Sequence, residues 1–352
     1  MLTELQLRNF RCFEALRVEL APGFNFFVGQ NGQGKTSILE AACLLLRLQS
    51  QRSSSLAPLI RLGQDSLGVA GRWQDHRLEF RYRPMRRKLI LDQVEQRTTS
   101  DYLSLARVVS LANADIELAR GGAEARRRFL DFLGVQIAPP YRQTLRAYER
   151  ALCSRNALLK SAQPKPLELA AYNPPLLEHG TKLSTMRARL VEVLASAAAQ
   201  AHRAISESKE VLRLNYAPGN AEDFASDLRR SSAQELRLRQ TVVGPHRDDL
   251  ELLVDEMAAA QYASEGQQRT VALALKIAQA RVFAAEAGTA PLVLIDDIFG
   301  ELDPARRNRL LAALPNETQK LVTATSLSWH DGPADFPVWR LESGQLRREG
   351  DA

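Results

Sequence analysis

The 352-residue sequence has few cysteines and no long apolar run. Its three cysteines, Cys12, Cys43 and Cys153, are far apart and odd in number, so we expect reduced thiols rather than a disulfide framework or a zinc-binding pair. No uninterrupted apolar stretch reaches the ~18 residues that a membrane helix needs, and the N-terminus has no signal-peptide pattern. These absences predict a cytoplasmic protein with no membrane partner.

Lysine and aromatic residues are also scarce. Lysine supplies only 8 of the 47 basic residues and aromatic residues make up 6% of the chain, at a net charge of +6. The excess of arginine suits contacts with the phosphate oxygens of a polyanion, but a coding bias of the genome explains it equally well. An apolar content of 45% at this length allows two domains, or one domain with a large insertion.

Apolar patterns predict an α/β domain that is built from both ends of the chain. Near the N-terminus, "LTELQLRNF" and "ALRVEL" alternate as half-buried strands do, and "FNFFVG" has the pattern of a buried strand that ends at a glycine. Further strands are predicted at 66–72, His76–Arg83 and 88–92, and strand character returns in "LELLVD", "PLVLIDD" and "LVTATS". We therefore assign residues 1–137 and 239–352 to one α/β head.

Residues 138–238 have the pattern of a helical arm subdomain. Two prolines, Pro139 and Pro140, mark its start. Leucine, alanine or valine then recurs at every seventh position, at Leu176, Leu183, Leu190, Ala197, Ala204 and Val211. This spacing predicts one helix of roughly 55 Å. Because small alanines suit close packing, we expect a packed subdomain rather than a free coiled coil.

A glycine-rich loop, "GQNGQGKTS", follows the buried strand and opens a helix at about residues 35–48. Such loops present backbone N–H groups, and the positive end of the helix dipole, to phosphates. The spacing predicts that Lys35 reaches the β- and γ-phosphates and that the Thr36 hydroxyl binds magnesium. The predicted cofactors are ATP and Mg²⁺, held by Gly29, Gln30, Asn31, Gly32, Gln33, Gly34, Lys35, Thr36 and Ser37.

The stretch "PLVLIDDIFGELD" predicts a buried strand that delivers two carboxylates to its C-terminal end. Asp296 is placed to join the magnesium shell. Asp297, one residue further on, is placed to orient or deprotonate the attacking water. Together with Lys35, these aspartates are the candidate catalytic residues.

A second predicted anion site starts another helix, at "SEGQQR". Ser264 and Gly266 are predicted to precede a mostly buried helix that runs from about Gln267 to about residue 285. Its N-terminus carries unpaired N–H groups and a positive dipole end. The phosphate loop is predicted to hold the triphosphate from one side. The signature helix that contacts the same triphosphate from the opposite side would therefore have to come from a second subunit. A two-fold dimer that sandwiches two nucleotides is the economical arrangement.

The phosphate loop, the Ser-x-Gly-Gln signature and the aspartate strand followed by "ELD" resemble those of ATP-binding-cassette (ABC) ATPases. Within that class the chain is similar to the RecF family of bacterial recombination mediators, which belongs to the SMC-like group. The similarity extends over nearly the whole chain, through "LQLRNFRCFEALRVELAPGFNFFVGQNGQGKTSILEA", "LARGGAEARRRFLDF", "GPHRDDLEL", "SEGQQRTVALALKIA" and "LIDDIFGELDPARR".

This resemblance implies a P-loop ABC-type ATPase head with an inserted helical arm. It also implies ATP-dependent homodimerisation on double-stranded DNA at gap junctions and a weak DNA-dependent ATPase. The implied partner is a RecR-type mediator, and the implied outcome is loading of the RecA recombinase. By position, the resemblance makes Asp296 and Asp297 the Walker B pair, Ser264, Gly266 and Gln267 the signature, and Asp303 a part of the loop that crosses the dimer interface.

Several residues stay unassigned by the sequence. The family's Pro-Glu-Asp-like turn is replaced here by "LANADIEL", which leaves the nucleotide-sensing roles of Asn113 and Asp115 open. His246 in "GPHRDDL" is either a hydrogen-bonded turn histidine or a functional group. Arginine clusters at 126–128, 86–88 and 306–307 are candidates for DNA contact, although the middle arginine of "RRRFL", Arg127, is also suited to pair with carboxylates.

Three rival functions predict different sequence features. An ATP-regulated nuclease fused to the same head predicts an additional acidic metal domain. A P-loop phosphotransferase predicts a set of lid arginines and no signature helix. An SMC-like structural DNA ATPase predicts a much longer coiled coil than the arm can supply.

Overall fold

The described part of this computed structural model contains a mainly parallel sheet and an antiparallel sheet, each of six strands, and a three-stranded sheet. The structure describes residues 1–53, 55–206, 210–221, 223–287, 290–327, 336–342 and 344–349. The chain divides into two compact units, the first made of residues 1–114 and 279–352 and the second of residues 115–278.

In chain order the strands are β1 (Leu2–Phe10), β2 (Phe13–Glu19), β3 (Phe24–Val28), β4 (Leu67–Trp73), β5 (His76–Arg83), β6 (Arg86–Leu91), β7 (Val94–Glu95), β8 (Val108–Ala112), β9 (Leu212–Ala217), β10 (Asp249–Val254), β11 (Met257–Ala258), β12 (Leu292–Asp296), β13 (Lys320–Ala324), β14 (Val338–Glu342) and β15 (Gln345–Arg348). The α-helices are α1 (Lys35–Arg47), α2 (Ser100–Ser104), α3 (Glu117–Arg120), α4 (Ala123–Ile137), α5 (Pro139–Leu159), α6 (Pro166–Ala171), α7 (Asn173–Ile205), α8 (Phe224–Arg230), α9 (Ser232–Leu238), α10 (Ala259–Tyr262), α11 (Glu265–Ala287) and α12 (Pro304–Ala313).

The mainly parallel sheet of the first unit has the order β15-β14-β3-β13-β12-β8. Its strands β3, β13, β12 and β8 are parallel neighbours. They are nearly continuous apolar runs because both faces of the sheet are covered. Since parallel strands end at the same edge, the residues that follow these four strands are brought together there.

The antiparallel sheet of the first unit has the order β2-β1-β4-β5-β6-β7. Its strands alternate, with Leu5, Val69 and Phe80 buried in one core with α1 and with polar side chains on the other face. This alternation confirms the predicted strands, although β6 begins at Arg86 rather than at residue 88. It begins earlier because Arg86 and Arg87 pair with the end of β5. The predicted α/β class is confirmed.

A buried ion-pair network ties the second unit together. The Arg187 guanidinium donates to the carboxylates of Asp131, at 2.8 Å, and Asp248, at 2.9 Å. Asp248 is fully buried and also accepts the Gly219 N–H at 2.8 Å. Buried charges persist only when they are paired and hydrogen-bonded in this way. The motif "GPHRDDL", which contains Asp248, therefore has a structural role in the core of this unit.

His246 is a hydrogen-bonded turn histidine. Its Nε2 lies 2.9 Å from the Thr241 carbonyl oxygen, so Nε2 carries the proton, and its Nδ1 lies 2.7 Å from the Tyr148 hydroxyl, which donates. Burial lowers the pKa of His246 to about 4. The ring is therefore neutral at pH 7, and of the two roles left open by the sequence the structure favours the structural one.

Two features of the predicted arm differ in the structure. The helix predicted to include Val211 ends at Ile205, because the Val211 N–H donates to Asp255 at 2.9 Å and the chain enters β9. The proline-rich turn between the long helices contains the short helix α6. The predicted arm boundaries, 138–238, lie inside the second unit and stay a prediction. Among the described helices, none has the length and apolar content to span a membrane.

Candidate nucleotide site

The glycine-rich loop joins β3 to α1 at the carboxyl edge of the parallel sheet. Gly32 and Gly34 have positive φ values of 81° and 107°, which side-chain-bearing residues rarely adopt. At Gly34 there is also no room for a side chain, since a Cβ atom would lie 2.5 Å from Cys12 Sγ and 2.9 Å from Phe13 Cζ. The β1–β2 turn therefore fixes the path of the loop.

The Lys35 ammonium folds back over this loop. It donates to the carbonyl oxygens of Gly29, at 2.6 Å, and Gln30, at 3.0 Å. Burial lowers its pKa, against the opposing effect of Asp297 and Asp296. The loop thus holds a cation at the place where the sequence predicts phosphate oxygens.

Asp296 links three elements of the first unit. Its Oδ1 accepts the hydroxyl protons of Thr36 on α1 and Thr323 on β13, both at 2.8 Å. The sequence predicts that Thr36 and Asp296 share a magnesium ion, and the structure brings their oxygens together. Thr323 was not predicted, because only the strand order, with β13 beside β12, places it there.

Asp297 lies at the exit of β12 with a φ of 52°, an uncommon value for a residue other than glycine. Its N–H donates to Thr323 Oγ1 at 3.0 Å, which holds this conformation. Burial raises the pKa of Asp297, and the nearby carboxylates of Asp296 and Glu301 raise it further, against the opposing effect of Lys35. A carboxylate with a raised pKa is suited to accept a proton near neutral pH.

Asn113 follows β8, the neighbour of β12, and contacts the same loop. Its Nδ2 donates to Glu301 Oε1 at 2.8 Å and to the Asp297 carbonyl oxygen at 3.3 Å. Asn113 therefore holds Glu301 beside Asp297. The sequence left the role of Asn113 open, and the structure places it at the candidate site.

Hard oxygen donors suit Mg²⁺, which binds proteins through one or two carboxylates together with substrate phosphates. Thr36 and Asp296 provide a hydroxyl and a carboxylate 2.8 Å apart. In the described residues no group of three or more His, Cys, Asp or Glu side chains forms a fuller metal site. The donor set therefore fits magnesium that is shared with a nucleotide. The assignment of these residues to ATP and Mg²⁺ stays a prediction.

The signature helix α11 begins with a reciprocal capping box in the second unit. The Gln267 N–H donates to Ser264 Oγ at 3.3 Å, and the Ser264 N–H donates to Gln267 Oε1 at 2.6 Å. The cap starts the helix at Glu265, so the prediction that it begins near Gln267 was wrong and Gly266 lies within the first turn. Gln267 also donates to Glu210 at 2.6 Å. Contact of these residues with a nucleotide stays a prediction.

Asp303 is the N-cap of α12. Its Oδ1 accepts the Arg306 N–H at 2.8 Å, and this bond lowers the pKa of the carboxyl. The side chain is exposed and available to a second molecule. Its predicted place in a dimer interface is untested.

Two of the three predicted arginine clusters are partly internal. Arg126 makes a bidentate ion pair with Asp249, at 2.7 and 2.9 Å, while Arg127 donates to the Asp248 carbonyl oxygen. The expectation that the middle arginine pairs with carboxylates was therefore wrong, because the phase of α4 turns Arg126 inward. Arg307 is buried and donates to the carbonyl oxygens of Phe299 and Leu302.

Replacing Gly34 with alanine is expected to disrupt nucleotide binding more than replacing Gly32 does. Both substitutions place an alanine at a position where the backbone φ is positive, which costs roughly 1–2 kcal/mol of folding free energy. Only Gly34→Ala adds the clash with Cys12 and Phe13, whereas a Cβ at Gly32 meets nothing within 4 Å. Titration of each variant with a fluorescent ATP analogue, together with urea unfolding, tests this. Equal loss of ATP affinity in the two variants would show that the clash is irrelevant.

The family described as the RecF/RecN/SMC N-terminal domain matches residues 1–329. The DNA replication and repair protein RecF of Bacillus cytotoxicus is 36% identical over 343 residues, which cover 93% of this chain and 92% of that protein. The protein of the same name from Bacillus thuringiensis is 35% identical over 345 residues, with the same coverage.

Solved structures agree with these sequence matches. The recombination mediator protein RecF-ATPrS of the RecFOR pathway aligns with a TM-score of 0.90 at 28% identity, over 99% of this chain and 98% of that chain. An Smc head bound to the C-winged helix domain of ScpA aligns with a TM-score of 0.58 at 17% identity, over 99% of this chain and 96% of that chain, which shows the fold alone. The predicted P-loop ABC-type ATPase fold is confirmed.

Proposed function

Because the chain belongs to the RecF family, within the RecF/RecN/SMC group, we propose that it is an ATP-binding recombination mediator of DNA replication and repair. The observation that carries the proposal is the 2.8 Å contact between Thr36 and Asp296. It joins a glycine-rich phosphate loop to an aspartate strand at one edge of the sheet. This is the arrangement that P-loop ATPases need to hold a nucleotide together with its metal.

In this proposal, each site residue of the first unit has a separate role in ATP binding or hydrolysis. Lys35 exchanges the carbonyl oxygens of Gly29 and Gln30 for phosphate oxygens. Thr36 and Asp296 hold Mg²⁺, which when bound neutralises the charge that develops on the transferred phosphoryl group. Asp297 orients the attacking water and accepts its proton, which its raised pKa favours.

A second copy of the chain completes each site in this proposal. The signature residues Ser264, Gly266 and Gln267, with Asp303, contact the nucleotide bound to the partner's phosphate loop. The γ-phosphate is then held from both sides, so ATP binds the dimer better than ADP does. A nucleotide that switches a protein between two states must bind one state more tightly than the other, and this does not require rapid hydrolysis. We therefore expect hydrolysis on the order of one turnover per minute or slower, far below the enzyme median of ~10 per second.

The proposed target is double-stranded DNA at gap junctions, with a RecR-type mediator as protein partner and loading of RecA as the outcome, in the cytoplasm. Family membership supports this, as does the alignment with a recombination mediator of the RecFOR pathway. An SMC-like structural ATPase is disfavoured because α7, the longest described helix, has 33 residues. A small-molecule phosphotransferase is disfavoured because it needs no signature helix.

Duplex DNA is expected to stimulate the slow ATPase, and DNA affinity is expected to fall steeply with salt. Arginine contacts with phosphates release counterions, so binding weakens as salt rises and varies little with base sequence. Steady-state ATPase assays with random duplexes, and fluorescence anisotropy between 50 and 200 mM salt, measure both effects. A salt-independent affinity, or a turnover of ~10 per second without DNA, would contradict the proposal.

A further inference from the structure

We propose that the outer face of the antiparallel sheet binds one backbone strand of duplex DNA, in a trough whose floor is β4 and whose walls are β1–β2 and β5–β6. This inference rests on the proposed function, because it names the surface that receives the DNA. The trough has a volume of about 1540 Å³ and is lined only by residues of the first unit. We call this surface the basic trough and define it by Arg8, Arg17, Gly68, Ala70, Arg81, Arg83, Arg86 and Lys88.

Small residues on the central strand create the depression. Gly68 and Ala70 point to the outer face of β4, and Gly68 lies between Arg8 on β1 and Arg81 on β5. A Cβ atom at Gly68 would contact only the Cβ of Arg8, at an ordinary 3.9 Å. The glycine is not required by its backbone, since its φ is not positive. Its lack of a side chain therefore leaves the floor open.

The charge on the lining is strongly basic. Seven basic side chains line the trough, against the three carboxylates of Glu14, Asp65 and Glu79. Four of the seven, Arg17, Arg61, Arg81 and Lys88, form ion pairs with carboxylates. Arg8 and Arg83 stand on opposite walls, and neither guanidinium makes a hydrogen bond or ion pair with any described residue. Arginines that lack a carboxylate partner are available to phosphate oxygens.

The dimensions fit a single phosphodiester backbone. Strands β1 and β5 both flank β4, so their axes lie about 10 Å apart. The seven residues of β4 extend for about 24 Å, which is long enough to contact several successive phosphates of one DNA strand. Backbone ridges of B-DNA are separated by a major groove about 12 Å wide, so one ridge enters the trough at a time.

The chemistry of the lining favours the backbone over bases. Among the described residues that line it, Tyr82 is the only aromatic one, and single-stranded DNA is usually bound by stacking bases on several aromatic rings. All three arginine clusters are partly engaged, because Arg126 and Arg307 are held inside their own units and Lys88 forms an ion pair with Glu95 at 2.8 Å. Arg86, at the start of β6, is exposed and lines the trough, whereas Arg87 lies on the other face of the sheet.

Two variants test the basic trough by charge and by shape. Arg8→Ala/Arg83→Ala removes one unpaired arginine from each wall, and Gly68→Leu fills the floor without changing the charge. Each should weaken binding of a 20-base-pair random duplex by at least about tenfold, and the double variant should lower the salt slope by about two. The assay is fluorescence anisotropy of the full chain with ATP and Mg²⁺, at salt concentrations from 50 to 200 mM.

Matched controls separate this test from the proposed function. Arg189→Ala/Arg237→Ala removes the same charge from exposed sites in the second unit, and Gly68→Ala adds only one methyl group. All variants should bind a fluorescent ATP analogue as the wild type does, because none of these residues lies in the nucleotide site. DNA affinity within twofold of its control, for either trough variant, would overturn the inference. A wild type that binds no duplex would instead overturn the proposed function.

Discussion

Replacing Asp297 with asparagine is expected to lower the rate of ATP hydrolysis by about 10²–10⁴-fold while leaving ATP binding intact. Asparagine keeps the size of the side chain and the N–H bond to Thr323, but it cannot accept the proton of the attacking water. The phosphate loop, Thr36 and Asp296 are unchanged, so the nucleotide still binds. If ATP holds the dimer together, the variant dimer should persist on DNA long after the wild type has dissociated.

The pH dependence of the wild type provides a second readout. Because the pKa of Asp297 is raised, its carboxylate is protonated at a higher pH than an ordinary aspartate. Hydrolysis should therefore fall as the pH is lowered through that raised pKa, and the residual rate of Asp297→Asn should not follow this profile. Asp101→Asn, at an exposed site on α2, is the matched control. If Asp297→Asn hydrolysed ATP at the normal rate, a group other than Asp297 would have to position and deprotonate the attacking water.

Mixing two inactive variants is expected to restore ATPase activity. Lys35→Ala removes the phosphate-binding cation from its own chain's loop, and Ser264→Arg fills the signature that serves the partner's nucleotide. Each homodimer then has two defective sites. In a mixed dimer both lesions fall in one composite site, and the other site pairs an intact loop with an intact signature. Activity should recover to about half that of the wild type per mixed dimer, and less if the sites are coupled.

The capping box requires a control for this experiment. Ser264→Arg also removes the hydroxyl that accepts the Gln267 N–H, and loss of such a cap costs about 0.5–2 kcal/mol of stability. Ser264→Ala removes the cap without filling the site, so its melting temperature separates the two effects. No recovery at any mixing ratio, with mixed dimers shown to form, would mean that Ser264 serves something other than the partner's ATP.

Local features of the site could be predicted from the sequence because they depend on neighbouring residues. The phosphate loop, the buried strands and the two aspartates are each encoded within about ten residues. The inward position of Arg126 was also readable, since Arg126, Phe129, Leu130 and Leu133 are buried at helical spacing on α4. The Ser-x-x-Gln capping pattern, likewise, would have placed the start of α11 at Glu265.

Contacts between distant strands could not be predicted. Thr323 and Asn113 reach the aspartate strand because β13 and β8 are its neighbours in the sheet. Nothing in their own sequence context specifies that order. The basic trough depends in the same way on register, which sets Gly68 opposite both Arg8 and Arg81. A single sequence shows which residues form strands, but it does not show which strands pair.

The most direct test of the account is whether ATP, and not ADP, drives dimerisation. Sedimentation velocity of Asp297→Asn with duplex DNA and Mg²⁺ should show a dimer with ATP, because hydrolysis is blocked and the γ-phosphate is held by both chains. The same sample with ADP should be monomeric, since the phosphate that the signature helix contacts is missing. Equal dimer fractions with the two nucleotides would contradict the account.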